Sequence, residues 1–166
     1  MKDFHNLFTR ELSNIYNAES HLVKTLPGVI NAAHSSELKQ TLTRQLEEAK
    51  KQVERLEEIA ESLDEPLTKG ENPIAKALVN EVTHVGNTDY DNMTKDAAII
   101  LAIQHVKHYE ISCYGTLKAF AKHLKFHQAE KLFDASVKEE GSANNQLTEI
   151  AEGKLAINDK ASRLCA

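Results

Sequence analysis

Several glutamates in this chain fall where a helix would bury them. At helical spacing, Glu19 lies four residues after Ile15 and three before Leu22, inside an apolar stripe. Glu110 lies four after Val106 and three before Cys113, in a stripe that also holds Ile99, Ile103 and Leu117. Glu140 lies three after Val137 and seven before Leu147, while Glu48 sits one residue round from Ala49, nearer the flank of its helix. A carboxylate in an apolar core is costly unless it is paired, protonated or bound to a metal. Carboxylates converging from four helices form the usual cradle for two iron or manganese ions, with a Glu from each of two helices and Glu-x-x-His from each of the others. The candidate ligands are therefore Glu19, Glu48, Glu110 and one of Glu139 and Glu140.

The histidines of that pattern are missing. Three residues after Glu47, Glu48, Glu139 and Glu140 stand Lys50, Lys51, Ser142 and Ala143. A lysine near the carboxylates, Lys51 in particular, could replace a cation as their charge partner and leave an ion-paired remnant of a metal site. Tyr16, Tyr109 and Tyr114 are candidate hydrogen-bond partners for the buried acids, and His108, two before Glu110, is a candidate support from behind. His105 and His108 fall on opposite sides of the stripe and read as flank residues, and His21 points away from the core. Cys113 reads as a small buried hydrophobe, and Cys165 as a residue open to oxidation or cross-linking. No Gly-rich phosphate loop, Ser/His/Asp order or zinc-type Cys pair is present, so hydrolase and nucleotide-binding readings have no support and no catalytic residue is assigned.

Long helices must position these acids. Of 166 residues, only six are Gly and three are Pro, too few for the turns of a sandwich or barrel. Hydrophobic residues make up 41% and charged residues 27%, which suits one all-helical domain with a substantial core. The net charge of −5 makes a poor sequence-independent nucleic-acid binder. The longest strongly apolar stretch, Ala97 to Ile103, is far short of the roughly 20 residues a membrane span needs. The N-terminus carries no apolar signal region, and a cytoplasmic location is expected.

The periodicity predicts a first hairpin over 3–63, a crossover over 64–93, a second hairpin over 94–152 and a tail over 153–166. Pro27 should kink or split the first helix. Ser35 reads as the N-cap of the second, and Asn72-Pro73 as the start of a short helix in the crossover. A gap-free shift of 91 residues places Glu19 on Glu110, Glu48 on Glu139, and Leu56–Glu61 on Leu147–Glu152. Two related hairpins joined by a long crossover make a four-helix bundle. The repeat favours Glu139 as the inward acid of the last helix; the apolar phase favours Glu140.

The string His105-Val106-Lys107-His108-Tyr109-Glu110-Ile111-Ser112-Cys113-Tyr114-Gly115-Thr116-Leu117 resembles the signature of the bacterial YciE/YciF stress-protein family, on its YciF side. Leu12 to Glu19 resembles that family's first helix, and Leu46-Glu47-Glu48 with Val53-Glu54-Arg55-Leu56 resembles its second. The resemblance covers nearly the whole chain and implies a ferritin-like, rubrerythrin-related fold, homodimers and a role in stress adaptation. It also marks two departures: Lys107 stands where an acid is common, and Ala49-Lys50-Lys51 replaces a more polar, ligand-capable stretch. Two functions follow as expectations. One is a homodimeric scaffold with a degenerate or absent di-metal site, binding a protein partner or small ligand. The other is a di-iron or di-manganese protein reacting with oxygen or peroxide.

Overall fold

A computed structural model describes residues 3–70 and 72–153, which form five α-helices and no strand: α1 (Phe4–Ala32), α2 (Ser36–Ser62), α3 (Pro73–Asn87), α4 (Asn92–Leu124) and α5 (His127–Gly153). The tail from Lys154, with Cys165, lies outside the described residues. Helix starts follow local side-chain chemistry. Asp3, Ser35, Asn72 and Asp91 each accept a hydrogen bond from a backbone N–H of the first turn, and Pro73 occupies the first turn of α3 where its missing N–H costs nothing. α4 ends at Lys125, which takes the left-handed conformation at φ 62° so that its N–H reaches the carbonyls of Ala121 and Lys122.

The expected split at Pro27 does not occur: α1 runs through it as one helix. Leu22, Leu26, Val29 and Ala33, on both sides of the proline, are buried in one apolar cluster, and that shared packing carries the helix across the missing hydrogen bond.

α1 packs along α2 and α4 along α5, while α1 also meets α4 and α2 also meets α5, so the four long helices close a ring of contacts. α3 lies across α1 and α4. Inside the ring the apolar core is divided. One cluster includes Leu22, Leu26, Leu42, Ile103, Val106 and Leu147; the other includes Phe8, Leu12, Ile15, Leu56, Leu117 and Phe133. Each fully buried Leu, Ile or Phe contributes about 1.5–3 kcal/mol. On every long helix a buried polar residue falls between the two groups: Glu19 on α1, Gln52 on α2, Lys107 and Glu110 on α4, and Glu140 on α5.

Two neighbours on α4 tie the connections to this ring. Asp96 accepts from the His34 and Ser35 N–H groups, both at 2.7 Å, and so fastens the three-residue turn between α1 and α2. Lys95 donates to the carbonyls of Val85, Gly86 and Thr88 at the end of α3. Among the described residues no helix is long and apolar enough to cross a membrane.

Candidate functional site

The polar layer is organised around a lysine. Lys107 Nζ donates to Glu110 Oε2 at 2.7 Å and to Glu140 Oε2 at 2.6 Å, and all three side chains are at most 3% exposed. Lys107 stands three residues before Glu110, so both project from the same side of α4, and the centre is reached from α5 by Glu140. Gln52 of α2 donates to Glu140 Oε1 at 2.6 Å, and the Tyr114 hydroxyl donates to Glu19 Oε1 at 2.7 Å. Glu19 Oε2 and Glu110 Oε1 are buried with no protein hydrogen-bond partner. One oxygen from each of Glu19, Glu110 and Glu140 lies within 4.8 Å of the other two, a grouping that could hold a metal ion.

Charge in this layer is set by burial and by one cation. Burial, then the charge of Glu140, pushes the Glu19 carboxyl from 4.5 up to about 8. Burial, then the charge of Glu19, holds Glu110 well above the ordinary carboxyl value. Burial acts on Glu140 in the same sense, but the Lys107 charge, with the hydrogen bonds from Lys107 and Gln52, outweighs it and holds that carboxyl below its usual value. Burial opposes the charge on Lys107, and the surrounding acids outweigh it, so its ammonium is held more firmly than an ordinary lysine's. At neutral pH the layer is therefore an ammonium–carboxylate pair, Lys107 with Glu140, flanked by two neutral carboxyls. A neutral carboxyl still accepts from an ammonium through its carbonyl oxygen, which accounts for the short Lys107–Glu110 contact.

A family described as Domain of unknown function (DUF892) matches residues 3–161. The chain belongs to this family. Protein YciF of Escherichia coli (strain K12) is 34% identical over 162 residues, covering 97% of this chain and 96% of that protein. The crystal structure of the E. coli stress protein YciF superposes with a TM-score of 0.88 at 33% identity, over 91% of this chain and 96% of that one. YcfI from Rhodopseudomonas palustris gives 0.84 at 34% identity, over 88% and 93%. A protein from Xanthomonas campestris pv. campestris shares the fold, with a TM-score of 0.71 at 14% identity over 96% of this chain and 98% of that one. The resemblance read from the α4 signature thus holds on its YciF side.

Among the residues of this DUF892 chain singled out by spacing, the structure brings Glu19, Glu110 and Glu140 together. Glu48 and Glu139 are half-buried at the flank. Burial, then the charge of Glu140, raises the Glu48 carboxyl. Glu139 is gripped by both terminal nitrogens of Arg55, at 2.8 and 3.0 Å. Lys51 and His108 are exposed. The expected charge partner, Lys51, is replaced by Lys107, because position 51 lies two residues beyond the stripe centre at Ala49 and turns to solvent. The support expected of His108 is corrected for the same reason: it follows the inward Lys107 by one residue and faces outward. Tyr16 donates to the exposed Glu57 at 2.9 Å rather than to Glu19. Tyr109 accepts from Asn72 at 2.6 Å. Cys113 is only half-buried, and burial, first of several causes, raises its thiol to about 11, so it is a neutral thiol at physiological pH.

Of the three tyrosines considered as partners of the buried acids, Tyr114 takes that place, while Lys107 and Gln52 at the centre are what spacing left unresolved. Lys107 had a signal: it lies four residues after Ile103 and three before Glu110, so any phase that buries those two brings it near the core.

Proposed function

We propose that this chain is a ferritin-like stress-response protein of the YciE/YciF type, a homodimeric cytoplasmic scaffold whose di-metal carboxylate centre has been replaced by an internal ion pair. The ring of four long helices, two hairpins over 3–63 and 94–152 with α3 in the crossover over 64–93, supports the bundle reading of a single domain. The likeness to a protein described as a stress protein supports the stress role. The observation that carries the functional reading is Lys107, whose ammonium already neutralises Glu140 and bonds Glu110.

An iron or manganese pair does not fit these residues. Two divalent ions would have to share the oxygens that Lys107 occupies, and a fixed positive charge beside them opposes binding. The nitrogen ligands of the usual set are absent as well, since Lys50, Lys51, Ser142 and Ala143 stand at the Glu-x-x-His positions. A second reading, a metal-binding carboxylate protein acting on oxygen or peroxide, draws on the three clustered acids and their two unpartnered oxygens.

Protein purified from iron- and manganese-supplemented medium separates the two readings when elemental analysis is combined with light scattering. The scaffold reading expects far less than one metal per chain and a mass of twice 18.5 kDa. About two metals per chain, lost in the Glu19→Ala/Glu110→Ala protein, would establish the second reading instead.

A further inference from the structure

We infer that Lys107 is an internal stand-in for a divalent cation, and that a chain lacking its ammonium takes one such ion among Glu19, Glu110 and Glu140. This rests on the reading that the natural chain is metal-free, and it adds that the acids themselves remain a competent oxygen cage. Three features support it. The lysine nitrogen sits 2.6 and 2.7 Å from oxygens of two different helices, the bridging place that a cation takes between carboxylates. Glu19 Oε2 and Glu110 Oε1 are buried and have no protein donor, so lone pairs remain for a ligand to use. The acids are also held from outside: Tyr114 bonds Glu19 and Gln52 bonds Glu140, as partners orient the ligands of established metal sites.

An all-carboxylate set without nitrogen or sulfur suits a hard, oxygen-preferring divalent ion such as Mn2+. Truncation to alanine removes both the competing charge and the three outer carbons of the stem, which opens space for the ion and for waters completing its coordination, whereas glutamine removes the charge and shortens the side chain. Without the ammonium the three acids have no counter-charge except protons, so the ion displaces protons and binding strengthens with rising pH.

The test compares the natural chain with Lys107→Ala and Lys107→Gln, each equilibrated with Mn2+. Dialysis and the loss of the free-Mn2+ electron paramagnetic resonance signal report binding, and thermal melting reports its effect on folding. About one Mn2+ per chain is expected in either substituted protein, with a higher melting temperature when Mn2+ is present. Adding Glu140→Gln should abolish uptake. Folded variants that stay metal-free at millimolar Mn2+ would overturn the inference, as would uptake that survives Glu140→Gln. If neither variant folds even with Mn2+, the claim that a metal can replace the ammonium also fails. Stoichiometric uptake by the natural chain, with Lys107 intact, would instead overturn the scaffold reading on which the inference rests.

Discussion

Aligned by their shift of 91 residues, the hairpins α1–α2 and α4–α5 agree at two pairs of acids and differ at the positions beside them. Glu19 and Glu110 are both fully buried, and Glu48 and Glu139 are both half-buried. Three neighbouring positions diverge: Tyr16 corresponds to Lys107, Ala49 to Glu140, and Gln52 to Ala143. Tyr16 leaves the core and bonds Glu57 at the surface, while Lys107 turns inward. The second hairpin therefore supplies both members of the buried ion pair, and the first supplies a neutral amide and one acid. The aligned positions are thus polarised, with the buried ion pair on one half and the Gln52 hydrogen bond to it contributed by the other.

The sharpest way to break this contrast is to neutralise the equivalent positions separately. In metal-free buffer, Lys107→Met strands Glu140 without its cation and should cost about 3–5 kcal/mol in urea unfolding. Equal losses from Lys107→Met and Tyr16→Phe would refute the polarised picture.

The pH dependence of stability tests the two shared acids. Folded Glu19 titrates near 8 against an ordinary 4.5, so across that window the folded state holds a proton that the unfolded state has released. Its contribution is complete below the unfolded value and disappears as pH rises towards 8, with a slope of about 1.4 kcal/mol per pH unit. Glu110, raised in the same direction, adds to the fall, whereas Glu140, lowered, loses its contribution only in acid. Urea midpoints measured from pH 5 to 8 should therefore decline, and Glu19→Gln with Glu110→Gln should flatten the decline and raise stability at pH 8. A decline unchanged by both substitutions would count against neutral carboxyls at the centre.

The two hairpin turns differ as well. The first depends on a carboxylate from the other half, and Asp96→Ala should cost about 1–3 kcal/mol by leaving two N–H groups unpaired. The second depends on a lysine in a left-handed conformation, and Lys125→Gly should stabilise by about 1 kcal/mol. Both are measurable by thermal or urea unfolding. Smallest of all, Tyr16→Phe removes a surface hydrogen bond and should stay within about 0.5 kcal/mol.

Element boundaries were legible because caps and apolar periodicity are local: Ser35, Asn72-Pro73 and the stripe from Phe8 to Val29 act within a turn or two of themselves. The burial of Glu19 and Glu110 was legible for the same reason. The choice between Glu139 and Glu140 was not, because the repeat and the apolar phase point to different residues; packing favours the phase, and Arg55 draws Glu139 outward. Lys107 was hidden more deeply. Lysine is almost never fully buried without a partner, and its second partner lies 33 residues away on another helix. The split expected at Pro27 does not form because the helix-breaking effect is local, whereas the packing that overrides it joins all five helices.

The Asp96 bond also makes the first connection of the fold dependent on a later helix. The turn that closes the first hairpin receives its carboxylate from a residue 62 positions downstream of His34. α1 and α2 can pair through their own apolar faces, but the N–H groups of their turn have this carboxylate only where the start of α4 is docked. The adjacent Lys95 simultaneously secures the end of α3. Two neighbouring residues thus hold both earlier connections, so loosening the start of α4 would release the α1–α2 turn and the end of α3 together.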